Sequence, residues 1–262
     1  MAKRVSVSSA GVTDAGLART SNEDSLFQIE RSAANAAGAS TYGLYLIADG
    51  MGGHSGGEVA STTAMRTIST IILESLRANT PIQPTVLIRD AIERAHRAIL
   101  TIASADRALR SMGTTVTVGL RLDLELYLGH VGDCRAYLAR DGRLHQLTED
   151  HSVVAALLRQ GDITPQQAIS HPDKGKILRC LGVTQHVDVD TRLRETGEGR
   201  LTLRPGDRLV FCSDGLTQGV SDVEILDCVQ RWRPRRACGQ LVRLANAKGG
   251  TDNTSVIVVM VR

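Results

Sequence analysis

The sequence predicts an α+β fold built mainly on antiparallel sheets. Three observations carry that prediction: strands group with strands and helices with helices, a leucine-rich stretch alternates apolar and polar residues, and short apolar runs end at Asp-Gly or glycine-rich turns. A doubly wound sheet would instead interleave each helix between parallel strands.

From about Val5 to Ala48 the pattern is one of short strands and turns, ending in the compact apolar strand Tyr42–Ala48, which runs into a glycine-rich turn. Two helices follow, about Glu58–Arg77 and Thr85–Ser104. In the second, Ile88, Ile92, Ala95, Ile99 and Ile102 recur every three or four residues and mark one buried face; Pro81 and Pro84 separate the pair. Strands resume at Thr115–Leu120. Leu122, Leu124, Leu126 and Leu128 then alternate with Arg121, Asp123, Glu125 and Tyr127, and Cys134–Ala139 stops at the Asp141-Gly142 turn, giving an antiparallel meander. A polar insertion from about Asp150 to Arg194 carries a short helix, Val153–Arg159, with turn signals at Gly161-Asp162, Thr164-Pro165 and His171-Pro172, and reads as a lid or flap. The remainder predicts a strand at Arg208–Cys212, helices at Asp222–Gln230 and Arg235–Ala247, and a closing strand at Ser255–Val261.

Composition narrows the function classes. With 31 basic and 28 acidic residues among 262, the formal charge of +3 is no nucleic-acid signature, and 3% aromatic content leaves little for a base-stacking platform. The start MAKRVSVSSAGV lacks the apolar stretch of a signal peptide, and the longest purely apolar run is Val256–Val261, so the expectation is a soluble, cytoplasmic protein without membrane contact. No repeat or low-complexity segment appears. Cys134, Cys180, Cys212, Cys228 and Cys238 are odd in number and lack CxxC spacing, which predicts buried free thiols rather than disulfides or a cysteine zinc site.

The informative feature is the position of the acids. Asp49 follows the apolar strand and opens Asp49-Gly-Met-Gly-Gly-His-Ser-Gly-Gly57; Asp133 sits in Gly129-His-Val-Gly-Asp-Cys134; Asp214 follows Leu209-Val-Phe-Cys-Ser213; Asp252 lies in Gly249-Gly-Thr-Asp-Asn253. Each stands near a strand end beside glycine, which lets backbone carbonyls approach a ligand closely. Carboxylate and carbonyl oxygens suit Mg²⁺ and Mn²⁺, and without cations such a cluster would repel itself. Any one Asp-Gly alone is an ordinary turn. Four aspartates at strand ends, together with the pair Glu23-Asp24 just after Arg19, point to a site, since Arg offers a planar fork for phosphate.

These residues resemble the metal-dependent protein phosphatases (PPM, or type 2C serine/threonine phosphatases) in their bacterial form. The resemblance runs in order through Arg19-Thr-Ser-Asn-Glu-Asp-Ser25, Ala48-Asp-Gly-Met-Gly-Gly-His54, Gly57-Glu-Val-Ala60, Met112-Gly-Thr-Thr115, Gly129-His-Val-Gly-Asp-Cys-Arg135, Thr148-Glu-Asp-His-Ser152, His171-Pro172, Cys212-Ser-Asp-Gly-Leu216 and Gly250-Thr-Asp-Asn253. It implies an αββα sandwich forming one phosphatase domain over residues 1–262, with residues 150–194 as its variable flap. It implies two Mn²⁺ or Mg²⁺ ions held by Asp49, the Gly50 carbonyl, Asp214 and Asp252, with Glu23 and Asp24 acting through metal-bound water and Asp133 joining Asp214 at a third, weaker ion. Arg19 would bind the substrate phosphate, and a water bridging the two ions would attack phosphorus in line. Implied partners are phosphoserine and phosphothreonine proteins and the eukaryotic-like kinase that phosphorylates them; nothing in the sequence demands more than a monomer. Met51 stands where eukaryotic members carry a histidine proposed as general acid. A metal-bound water is then the expected proton donor, with His54 a turn residue and Cys134 a swap for serine.

Four alternatives have sequence features of their own. Cys134 and Arg140 fit the C-x₅-R of a cysteine phosphatase, but the intervening residues alternate as a strand and contain no glycine to wrap a phosphate. The glycine run after Asp49 fits neither nucleotide-loop pattern. A catalytically silent phosphoprotein-binding module on the same fold would be favoured by a lost ligand position, and none is lost. Arg231-Trp-Arg-Pro-Arg-Arg236 is read as a solvated connection between helices rather than a nucleic-acid site.

Overall fold

The computed structural model describes residues 5–32, 41–52, 56–78 and 81–262. Two antiparallel sheets stack face to face. One contains β1 (Val7–Asp14), β7 (Arg135–Arg140), β8 (Arg143–Gln146), β10 (Arg208–Cys212) and β11 (Thr254–Val261), in the order β1-β11-β10-β7-β8. The other contains β2 (Asp24–Arg31), β3 (Tyr42–Met51), β5 (Val116–Leu122), β6 (Glu125–Val131) and β9 (Leu201–Thr202) in that order, with the two-residue β4 (Gly113–Thr114) added to the end of β3.

Helices cover both outer faces. Helices α1 (Gly56–Arg77) and α2 (Pro84–Ala105) lie on the second sheet, where Ala60, Ala64, Ile68 and Ile72, spaced four apart, meet Leu44, Leu46 and Ala48 of β3. Helices α6 (Asp222–Arg231) and α7 (Pro234–Ala247) lie on the first, with Ala237, Leu241 and Ala245 against Val256 and Val258 of β11. Between the sheets, Ile257, Val259 and Val261 of β11 meet Tyr45 and Ile47 of β3 in a third apolar layer. Both faces of β3 and β11 are therefore covered, which is why they read as continuous apolar runs rather than alternating ones. The expected αββα sandwich is the fold.

Three elements differ from the sequence reading. The leucine alternation does not form one strand: it breaks at Asp123-Leu124, a two-residue hairpin with Asp123 at φ 50° that pairs Leu122 with Glu125. The strand before Asp49 does not stop there; β3 continues to Met51 because Gly50 and Met51 pair with Thr114 and Gly113 from a distant segment. The insertion is only partly a flap. Its first half holds α3 (Val153–Gln160) and the capped turn α4 (Pro165–Ile169), whereas its second half is joined to the sandwich by bridges Thr114↔Leu181 and His130↔Asp190, with Leu181, Val189 and Leu193 buried. No helix among the described residues is long and apolar enough to cross a membrane.

Candidate metal centre

The two sheets bring the acids together at one end of the sandwich. Antiparallel pairing of β2 with β3 sets Asp24 directly opposite Asp49. Across the gap, β10 ends at Cys212 and Ser213 caps the short helix α5 (Asp214–Thr217), so Asp214 enters the same space from the other sheet. Asp133 comes from the turn between β6 and β7, and Asp252 from the loop before β11.

Burial and the neighbouring acids both act on these carboxyls. Burial pushes the Asp49 carboxyl well above its ordinary range, and Asp24, Asp214, Asp133 and Asp252 push it further; one edge of Asp49 still reaches solvent although protein encloses it. Burial, reinforced by Asp214 and Asp252, raises Asp24 to about 7 against hydrogen bonds from Ser255 and Ser213. Burial, with Asp214 and Asp150, raises Asp133 to about 7 as well, and burial, with Asp252, raises Asp214 against a hydrogen bond from Gln218. Asp24, Asp49, Asp133, Asp214 and Asp252 thus lie within electrostatic reach of one another. Glu23, raised mainly by burial, lies nearer the surface and feels Arg19 and Asp252.

The donor set fits a hard divalent cation. It consists of oxygen, it is self-repelling, and the buried Oδ1 of Asp24 has no hydrogen-bond partner in the structure. Among the described residues the acids are not closed into a ready ligand shell. Neighbours hold two of them instead: the Asp252 carboxylate accepts from Arg19 Nη2 at 2.8 Å, and Asp214 accepts from Gln218 Nε2 at 2.8 Å. Arg19, expected at the substrate phosphate, therefore pairs with Asp252 and stands at the mouth of the site with its side chain 54% exposed.

Backbone packing here demands glycine at two positions. A Cβ on Gly50 would meet the carbonyls of Gly57 and Glu23, and one on Gly215 would meet the carbonyl of Asn253.

Cys134 is fully buried, burial and then Asp49 push its thiol well up, and its Sγ shares a hydrogen bond with Thr115 Oγ1 at 3.0 Å. Arg140 is bound to Asp207 at 2.6 Å. Neither can act as in a cysteine phosphatase. Met51 ends β3 beside Gly113; His54 lies outside the described residues.

Sequence reasoning missed two supporting residues. Ser213 Oγ donates to Asp24 Oδ2 at 2.7 Å, tying the two sheets together at the centre. Asn253 forms a three-bond clasp: its Nδ2 donates to the carbonyls of Ala15 (3.0 Å) and Ser21 (2.9 Å), and its Oδ1 accepts from the Glu23 amide at 2.8 Å. The clasp fixes the loop that carries Arg19 and Glu23 against Asp252. The signal available was a fully polar, short side chain next to an acid, common in any loop. Asn253→Ala strands these loop groups, so calorimetry is expected to show a loss of about 2 kcal/mol, or roughly 4–8 °C in Tm. An unchanged melting curve would show that the loop holds itself.

Comparison with known proteins identifies the family. A sequence profile of the family described as protein phosphatase 2C matches residues 19–246. The serine/threonine phosphatase stp of Listeria welshimeri is 35% identical over 248 residues, covering 94% of this chain and 93% of that protein. The serine/threonine protein phosphatase PstP of Mycobacterium tuberculosis is 39% identical over 251 residues, 95% of this chain and 44% of PstP. A crystal structure of the PstP catalytic domain in complex with two manganese ions superposes with a TM-score of 0.81 at 32% identity, covering 98% of this chain and 99% of that one. The chain belongs to the protein phosphatase 2C family and is a metal-dependent serine/threonine protein phosphatase.

Proposed function

We propose that the acidic centre at the end of the sandwich is the catalytic site, that it holds two Mn²⁺ or Mg²⁺ ions, and that phosphoserine and phosphothreonine of protein substrates are hydrolysed there. The observation that supports this best is the convergence of five aspartates from separate segments, each of Asp24, Asp49, Asp133 and Asp214 driven upward by burial and by the others. Asp49, the Gly50 carbonyl, Asp214 and Asp252 would hold the ions directly. Glu23 and Asp24 would orient the surrounding water, and Asp133 with Asp214 would take a third ion. When bound, such ions supply Lewis acidity and lower the pKa of water toward neutrality.

The chain's own residues do the rest. Asp24, anchored by Ser213, holds an acceptor over the reacting region. Arg19 can exchange its exposed Asp252 partner for a phosphate, because an exposed ion pair is worth only about 0–1 kcal/mol and a bidentate phosphate contact is stronger. The loop clasped by Asn253 keeps that guanidinium within reach.

Residues 1–262 are read as one phosphatase domain acting as a cytoplasmic monomer without membrane or nucleic-acid partners, opposite a bacterial eukaryotic-like Ser/Thr kinase. A phosphothreonine-peptide assay tests the core of the reading. Turnover is expected with Mn²⁺, is expected to vanish with chelator, and is expected to survive Cys134→Ser. Clean protein that binds phosphopeptide without Mn²⁺-dependent turnover would instead be a silent binding module.

A further inference from the structure

The strongest charge concentration outside the centre lies where α6 passes into α7. Arg231, Arg233, Arg235, Arg236 and Arg243 are all exposed, and among the described residues none pairs with a carboxylate. Trp232 holds two of them, with the Arg236 guanidinium 3.4 Å and that of Arg231 5.2 Å from its ring centroid. Trp232 is itself fixed, since its carbonyl accepts from Arg208 Nη1 at 2.9 Å and its ring packs on the α6/α7 core. One adjoining groove is lined by all five arginines and a second by Arg231 and Arg243. Asp227 borders one of them without pairing to any arginine, and Glu224 is taken by Lys248 at 2.6 Å. Five fewer cations would turn the formal charge of +3 into −2, so this one surface accounts for the sign of the whole chain.

We propose that this surface is a docking site for an acidic segment of the protein substrate. The position supports that use. From Arg235 to Ala247, α7 runs about 18 Å at 1.5 Å per residue, and its far end opens onto the groove shared by Asp133, Asp214, Lys248 and Thr251. Arg243 stands between the two ends. An extended chain covers the length of the helix in about six residues, so a polypeptide with six or more residues beyond its acids can occupy the arginines and bring a phosphorylated residue into that groove. Cations without carboxylate partners offer an anion charge-assisted hydrogen bonds, and the two held on Trp232 do so at reduced ordering cost. Nucleic acid fits less well: the single tryptophan is covered by arginine and offers no open face for a base.

The identity of the docked segment rests on the phosphatase reading; the binding itself does not. Anisotropy of a labelled twelve-residue Asp/Glu peptide is expected to show salt-sensitive binding, weakened about tenfold in the R233E/R235E/R236E variant. Glutamate suits the first turn of a helix, so the variant should fold. Turnover of a phosphothreonine peptide with acids about six residues away is expected to fall about fivefold or more in kcat/KM, to the level of the same peptide without acids. Turnover of p-nitrophenyl phosphate should stay unchanged. Equal peptide binding by wild type and variant overturns the proposal. So does tighter binding, at the same salt, of a single-stranded oligonucleotide or of phosphatidylserine vesicles. Peptide binding without turnover of any phosphate ester would sink the catalytic reading and leave the docking surface standing.

Discussion

Replacing Asp49 by asparagine is expected to lower Mn²⁺-dependent turnover of a phosphothreonine peptide by about 10³-fold or more, yet to raise the melting temperature of the chelator-treated protein. The first effect follows from the proposed place of Asp49 among the metal ligands, directly opposite Asp24 and under the influence of Asp214, Asp133 and Asp252. Metal-ion catalysis contributes several kcal/mol, and each 1.36 kcal/mol is a factor of ten. The second effect follows from sign. A carboxyl whose native pKa is raised holds its proton more tightly folded than unfolded, so native stability falls as pH rises from about 4 through the raised value; for Asp24 and Asp133 that value is about 7. Asparagine removes the most strongly surrounded member of the set. A gain of about 2 kcal/mol, or roughly 4–8 °C, is expected at neutral pH with chelator present. With Mn²⁺ the order should reverse, since a ligand at 100 times its Kd stabilises the wild type by about 2.7 kcal/mol. Full activity in the variant would remove Asp49 from the centre. A variant that melts lower than wild type in chelator would defeat the like-charge account.

The acids of this site were legible because their local signal is strong: each lies near a strand end beside glycine, and an ordered series of such motifs is rare. What escaped the sequence is set by pairing between distant segments. Asp24 was grouped with Glu23 as its neighbour in the chain, but the β2–β3 register turns Asp24 inward opposite Asp49 and leaves Glu23 toward Arg19. Nothing local fixes that register. Nor does the sequence show that Ser213 meets Asp24 across 189 positions, or that Asn253 ties down a loop some 230 residues away. The leucine stretch misled for a different reason. A two-residue hairpin preserves period-two alternation across the turn, and Asp123-Leu124 lacks the glycine that marks Asp141-Gly142. The second half of the insertion is polar in composition but contributes only a few buried residues, too few for a periodic pattern.

Loss of Arg121 is expected to be the largest single-residue effect on stability away from the centre. Arg121 is 1% exposed, at the end of the β3–β5 pair farthest from the acids, where it sits opposite Gly43 of β3. Its Nη2 donates to Glu30 Oε2 at 2.7 Å, Nη1 donates to Thr41 Oγ1 at 2.9 Å and to the Asp123 carbonyl, and Nε donates to the Tyr45 hydroxyl, which in turn donates to Glu30. The Tyr45 ring stacks on Phe211 of the other sheet at 5.5 Å, so the network also fixes a contact between the layers. Arg121→Ala removes the buried cation facing Glu30 and takes one donor each from Thr41 Oγ1, the Tyr45 hydroxyl and the Asp123 carbonyl. Breaking a buried pair costs about 3–5 kcal/mol, and because Glu30 keeps 22% of its side chain in solvent the lower end applies, about 3 kcal/mol by urea denaturation. Asp49 lies six residues along β3 from Gly43, about 20 Å, so kcat of the folded fraction should be unchanged. Arg121→Leu combined with Glu30→Leu separates the two sources of the loss. If the cost is a stranded charge, the pair of apolar side chains should recover about half of it or more, whereas a double variant as unstable as the sum of the singles would place the cost in the lost packing of the guanidinium against Tyr45.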